Sequence, residues 1–100
     1  MKDYTTKTNL KSIDNIVNYA LEKKCLVVEE MGVLNDFYII KNSANIRLND
    51  IKPREYIICY YKYKNSCAND LYITVTDSIE CVKRYAEKYG CEMSVVENIL

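Results

Sequence analysis

The clearest alternation of apolar and polar positions lies in the middle of the chain. Tyr56–Tyr63 consists almost entirely of β-branched and aromatic residues, which fit a pleated, half-buried surface. Both of its alternating sets of side chains are apolar enough to need cover, which predicts a central strand. Leu71–Thr76 alternates cleanly, and Lys64–Asp70 between them is rich in turn-forming residues. We therefore expect a hairpin whose second strand has a core side and a side that faces water. The core side is Leu71, Ile73 and Val75, and the wet side is Tyr72, Thr74 and Thr76.

Two helices are predicted from apolar residues that recur every three or four positions. The first covers about residues 12–24, and Ser12 is its expected N-cap. Its apolar stripe is Ile13, Ile16, Val17, Ala20 and Leu21. The second covers about residues 78–89, where Asp77 and Glu80 are spaced as a capping box. Both helices have one apolar face and are expected to pack on a sheet.

Shorter patterns complete the chain. Cys25–Met31 and Asp36–Lys41 predict a second hairpin. Tyr4–Thr8 fits a short edge strand or a frayed arm, and residues 46–48 fit another short strand. The tail at 91–100 fits a last strand or a short helix.

These elements predict the fold class: one α+β domain over residues 1–100. The expected sheet is antiparallel with four strands, or five if an end segment joins, and both helices pack on one of its faces. The other face would then be open to solvent or to a partner.

Composition narrows the possible chemistry. The chain has 14 basic and 14 acidic residues and no histidine, so catalysis by serine or cysteine with histidine is excluded. Five cysteines without a close pair do not have the spacing of a zinc site. Glu29 and Glu30 would point to opposite sides of a strand and cannot act as a pair.

Cys81, near a helix start, could have a lowered pKa, although a packing role is favoured. We expect no enzyme, no cofactor and no metal, in a cytoplasmic protein with reduced thiols and no membrane association.

Tyrosine is the unusual component, with ten residues against one phenylalanine and no tryptophan. Rings with one buried side and an accessible hydroxyl are enriched at interfaces, although cover for the sheet would explain them equally well. The predicted partner-binding residues are Tyr38, Tyr60, Tyr61, Lys62, Tyr63, Lys64 and Tyr72. Tyr60 and Tyr61 point to opposite faces, so one should serve binding and the other stability.

No motif identifies a family. The chain has the general character of small α+β proteins of phages and mobile elements, many of which bind and block a host protein such as a CRISPR effector. We therefore expect a non-enzymatic protein-binding module that inhibits a host protein. The alternative is a single-stranded nucleic-acid-binding protein that uses tyrosine and lysine on the sheet face, which the balanced charge disfavours. The sequence indicates neither the partner's identity nor the oligomeric state.

Overall fold

The computed structural model describes residues 3–31, 36–61 and 71–100, which form a five-stranded antiparallel sheet with helices packed against it. The α+β fold class, with a four- or five-stranded sheet, is confirmed. The elements in chain order are β1 (Tyr4–Thr8), α1 (Leu10–Glu22), β2 (Val27–Met31), β3 (Asp36–Lys41), β4 (Tyr56–Tyr61), β5 (Leu71–Thr76), α2 (Ile79–Lys88) and α3 (Met93–Glu97).

The strand order is β1-β5-β4-β3-β2, and every neighbouring pair is antiparallel. β4 is central, as its two apolar sides predict. The N-terminal segment is the edge strand rather than a frayed arm, and the tail forms the short helix α3. No strand forms at 46–48. Among the described residues, no helix has both the length and the apolar character needed to cross a bilayer.

The helices cover opposite faces of the sheet, so the prediction that both pack on one face is wrong. Ile57 and Ile58 are neighbours on β4, and both are 0% exposed. Ile57 belongs to a core cluster with α1, and Ile58 to a cluster with α2 and α3. Two apolar sides on a central strand need two layers of cover. The side of β5 predicted to be wet is therefore also covered, with Thr74 and Thr76 buried.

Both long helices start at a cap within three residues of the predicted one. The Asn9 side chain accepts a hydrogen bond from the Ser12 N–H at 2.8 Å, so Ser12 is the third residue of the helix rather than its cap. The Ser78 hydroxyl accepts from the Cys81 N–H at 3.2 Å. Asp77, the predicted cap of the second helix, accepts instead from the Glu55 N–H at 2.8 Å. It ties the segment that leads into β4 to the end of β5.

α1 and α2 end in the same backbone motif. At the end of α1, the N–H groups of Lys24 and Cys25 donate to carbonyls of the last turn at 3.0 and 2.9 Å. The N–H groups of Gly90 and Cys91 do the same after α2, at 3.2 and 2.9 Å. The motif needs one residue with positive φ. That residue is Gly90 (φ 75°) in one case and Lys24 (φ 62°) in the other.

Candidate functional site

The structure does not bring the predicted partner-binding residues onto one surface. Tyr38 and Tyr61 are half-buried and pack with the cluster under α1. Tyr60 and Tyr72 lie on the other side of the sheet, in or against the cluster under α2. Lys62, Tyr63 and Lys64 lie outside the described residues, as does the turn predicted at 64–70.

Tyr60 is the centre of an internal aromatic cluster. It is 5% exposed, and its ring lies 4.8 Å from that of Tyr85 and 5.8 Å from that of Tyr89, measured between centroids. Tyr89 also stacks on Phe37 at 4.7 Å, and its hydroxyl donates to the Tyr61 carbonyl. Within this cluster Tyr60 is buried, and Tyr85 and Tyr89 are half-buried. Of Tyr60 and Tyr61, Tyr60 is the one placed to serve stability.

The hydroxyl of Tyr60 belongs to a chain of hydroxyl groups between β4, β5, β1 and α2. It lies 2.9 Å from the hydroxyl of Thr74 and 3.2 Å from that of Tyr85. Thr74 in turn lies 2.8 Å from the hydroxyl of Thr5 on β1. Burial raises the pKa of Tyr60 well above its ordinary value. Tyr60 therefore stays protonated at neutral pH and can donate one hydrogen bond.

This chain of hydroxyl groups ends in a cleft of about 220 Å³ between β1 and α2. The cleft is lined by Asp3, Thr5, Thr74, Cys81, Arg84, Tyr85 and Lys88. Arg84 and Lys88 are exposed and stand one turn apart on α2. Asp3 accepts a hydrogen bond from the Thr76 hydroxyl at 2.6 Å. The lining therefore carries two cations against one carboxylate, which is already engaged.

Cys81 lies in this cleft as a protonated thiol. Burial raises its pKa, and the Asp3 carboxylate beside it adds to the rise. The sequence-based suggestion that the helix start lowers this pKa is therefore wrong, because desolvation and a nearby negative charge disfavour the thiolate. Burial also raises the pKa of Cys59 to about 12 and that of Cys91 to about 11. None of these three thiols is an activated nucleophile at neutral pH.

A second cleft, of about 310 Å³, lies at the segment that joins β3 to β4. Its lining includes Asn42, Arg54 and Asp77. The buried Asn42 side chain accepts from the Ile46 N–H at 2.7 Å and donates to the carbonyls of Ile46 and Arg54 at 3.0 Å each. These bonds satisfy the turns of the segment from within. These hydrogen bonds indicate that the second cleft belongs to the scaffold that holds the segment between β3 and β4.

The first cleft lies beside the edge strand β1. Within the described ranges, β1 pairs with β5 alone, so its other edge presents backbone N–H and C=O groups. β1 carries a single charged residue, Lys7. The opposite edge, β2, carries Glu29 and Glu30, and charges on an edge discourage strand addition. Over the residues that the structure describes, no group of three or more potential metal ligands occurs.

Arg84, Lys88 and Thr5 were not among the residues predicted from the sequence. The sequence contains part of the pattern that would identify them. Arg84 and Lys88 are spaced four apart on a strongly amphipathic helix, toward the C-terminal end where the helix dipole also favours cations. Tyr4–Thr8 was recognised as a possible strand, but nothing in the sequence places it beside the second helix.

A scan against models of known protein families finds no match, and neither do searches of curated proteins and of solved structures. Function is therefore inferred from the residues and their geometry.

Proposed function

We propose that the chain is a non-enzymatic protein-binding module that adds a strand of its partner to the open edge of β1. The observation that carries this proposal is the outer edge of β1, which pairs with no strand among the described residues and stands beside a cleft that exposed cations line. Strand addition takes its affinity from main-chain hydrogen bonds and its specificity from pockets for alternate side chains. The cleft is such a pocket, on the α2 side of β1.

The partner is proposed to be a host protein that the chain blocks by occupying it stoichiometrically, as inhibitors from phages and mobile elements do. Two features support binding over catalysis. Burial raises the pKa of the Cys81 thiol in the cleft and that of the Tyr60 hydroxyl in the adjoining chain, so neither group acts as a base at neutral pH. Tyr60, the ring most central to the aromatic cluster, is buried between β4 and α2. This placement weakens the alternative in which stacked bases cover the sheet face.

The test has two steps. Immobilised protein first captures a partner from a bacterial lysate, and the captured protein is identified and purified. Amide hydrogen exchange of the chain is then compared with and without that partner. We expect slower exchange across Tyr4–Thr8, because the outward N–H groups of β1 become hydrogen-bonded.

The other sheet edge is an internal control for this experiment. β2 has the same length as β1, five residues, and its exchange should not change. Protection at Val27–Met31 alone, or on neither edge, would contradict the proposal. A titration with single-stranded RNA and DNA at two salt concentrations covers the alternative. Tight binding that weakens steeply with salt would favour nucleic acid.

A further inference from the structure

Positively charged side chains line the α2 side of the outer edge of β1. Because side chains alternate along a strand, Asp3, Thr5 and Lys7 project toward α2, and Tyr4 projects toward α1, whose cluster it joins. Arg84 and Lys88 line the cleft on that same α2 side. Two exposed cations of α2 thus accompany this side of the edge. The Asp3 carboxylate lies on the same side, where it accepts a hydrogen bond from the hydroxyl of Thr76.

We propose that the segment bound at β1 is an extended strand with acidic side chains at alternate positions. This inference rests on the proposed function and names the chemistry of its partner. An added strand would place every second side chain above the cleft. Alternate residues on a strand are about 6.6 Å apart, and residues four apart on a helix are separated by about 6 Å along its axis. Two alternate carboxylates are therefore about as far apart as the backbone positions of Arg84 and Lys88 are along α2.

A second copy of the chain fits this edge less well. Antiparallel pairing of two β1 strands about Thr5 would set Asp3 of each copy opposite Lys7 of the other. The same two-fold arrangement places both α2 helices on one face of the continuous sheet. Arg84 and Lys88 of the two copies would then line one shared groove, where like charges repel. Nucleic acid could satisfy the cations, but its backbone has no N–H groups to pair with the carbonyls of β1.

The inference can be tested with two synthetic peptides and the whole chain labelled with ¹⁵N. One peptide alternates glutamate with threonine, and the other alternates lysine with threonine at the same length. We expect the glutamate peptide to shift the amide signals of β1 and of the α2 residues at the cleft, and the lysine peptide to bind at least about tenfold more weakly, a difference of about 1.4 kcal/mol. Binding of the glutamate peptide should weaken with added salt.

Charge reversal provides the matched comparison. The double variant Arg84→Glu with Lys88→Glu should weaken the glutamate peptide about tenfold or more and strengthen the lysine peptide. The control double variant is Lys11→Glu with Lys23→Glu, which makes the same change in charge at exposed positions on and just after α1. It should leave both affinities within about twofold. Equal binding of both peptides to the native chain would overturn the inference.

Other outcomes are distinguishable. If the captured partner protects β1 but is insensitive to the Arg84 and Lys88 reversal, the proposed function stands and the acidic-strand inference fails. If the partner does not protect β1, the proposed function itself fails. A dimer of the native chain in sedimentation velocity that protects β1 would replace the acidic strand by a second copy. A single-stranded oligonucleotide that competes fully with the glutamate peptide and leaves the β1 amides unchanged would also overturn the inference.

Discussion

The hydroxyl of Tyr60 on β4 lies 2.9 Å from the hydroxyl of Thr74 on β5, within the layer between the sheet and α2. The two residues are on adjacent strands, and Thr74 is directly opposite Ile58. The bond pairs two polar groups that are both buried, with Tyr60 at 5% and Thr74 at 1% exposure. A threonine in the apolar layer is tolerated because tyrosine supplies its partner.

Replacing Tyr60 by phenylalanine should therefore destabilise the fold while leaving its packing volume nearly unchanged. Tyr60→Phe removes the hydroxyl that bonds to both Thr74 and Tyr85, and we expect a loss of about 1–2 kcal/mol in the free energy of unfolding. The measurement is urea denaturation. Tyr19→Phe is the control, because Tyr19 is 45% exposed, and its effect should stay within about 0.5 kcal/mol. Equal effects of the two changes would contradict the importance of the hydroxyl chain.

Substitutions at consecutive β4 residues test the cover on both faces of the sheet. Ile57→Ala and Ile58→Ala each remove a side chain that is 0% exposed, from the α1 and α2 sides respectively. Each should cost about 2–5 kcal/mol in the free energy of unfolding. A sheet covered on one face would show one large and one small effect. If either variant lost less than about 1 kcal/mol, one face would be open to solvent.

Substitutions at the C-terminal ends of α1 and α2 are expected to change stability in opposite directions. Lys24→Gly should stabilise the fold by about 0.5–1 kcal/mol, because a positive φ is unfavourable for a residue with a side chain. Gly90→Ala should destabilise by about 1 kcal/mol for the same reason. An added Cβ at Gly90 would contact nothing within 4 Å, so the effect would come from the backbone alone. Thermal and urea unfolding measure both, and a stabilising Gly90→Ala would contradict this explanation.

Stability should fall at alkaline pH. Burial raises the pKa of Cys59 from 9.0 to about 12, that of Cys91 from 9.0 to about 11 and that of Tyr89 from 10.0 to about 12. Each group is neutral when protonated, and the folded state holds the proton more tightly than the unfolded chain does. The stabilisation is therefore complete below the unfolded pKa values and is lost as the pH rises from 9.0 toward 12.

Urea unfolding at several pH values between neutral and about pH 11 measures this slope. Cys91→Ala should make the decline shallower, since it removes one of the groups that release a proton on unfolding. The native chain at neutral pH gives the reference. A free energy of unfolding that stays constant or increases above pH 9.0 would contradict the assigned burial of these groups.

The sequence by itself determined the elements that depend on neighbouring residues. The strands at 36–41 and 71–76 have the predicted bounds, and β4 is central because both of its sides are apolar. The caps were displaced by one to three residues, from Ser12 to Asn9 and from Asp77 to Ser78. Nearby residues with similar side chains compete for the N-cap position, and the local sequence pattern does not distinguish between them.

Only the tertiary structure decided which layer covers each face and where a binding edge lies. Thr74 and Thr76 have the polarity of a wet side, yet both are buried because their hydroxyls meet Thr5 and Asp3, which lie 69 and 73 positions away in the chain. Alternation along a strand reports the polarity of its own side chains and not the partners that distant segments supply. The same long-range pairing of β1 with β5 places the open edge beside Arg84 and Lys88. The candidate site therefore depends on the pairing of β1 with β5 and on α2 lying beside them. No local sequence pattern predicts this arrangement.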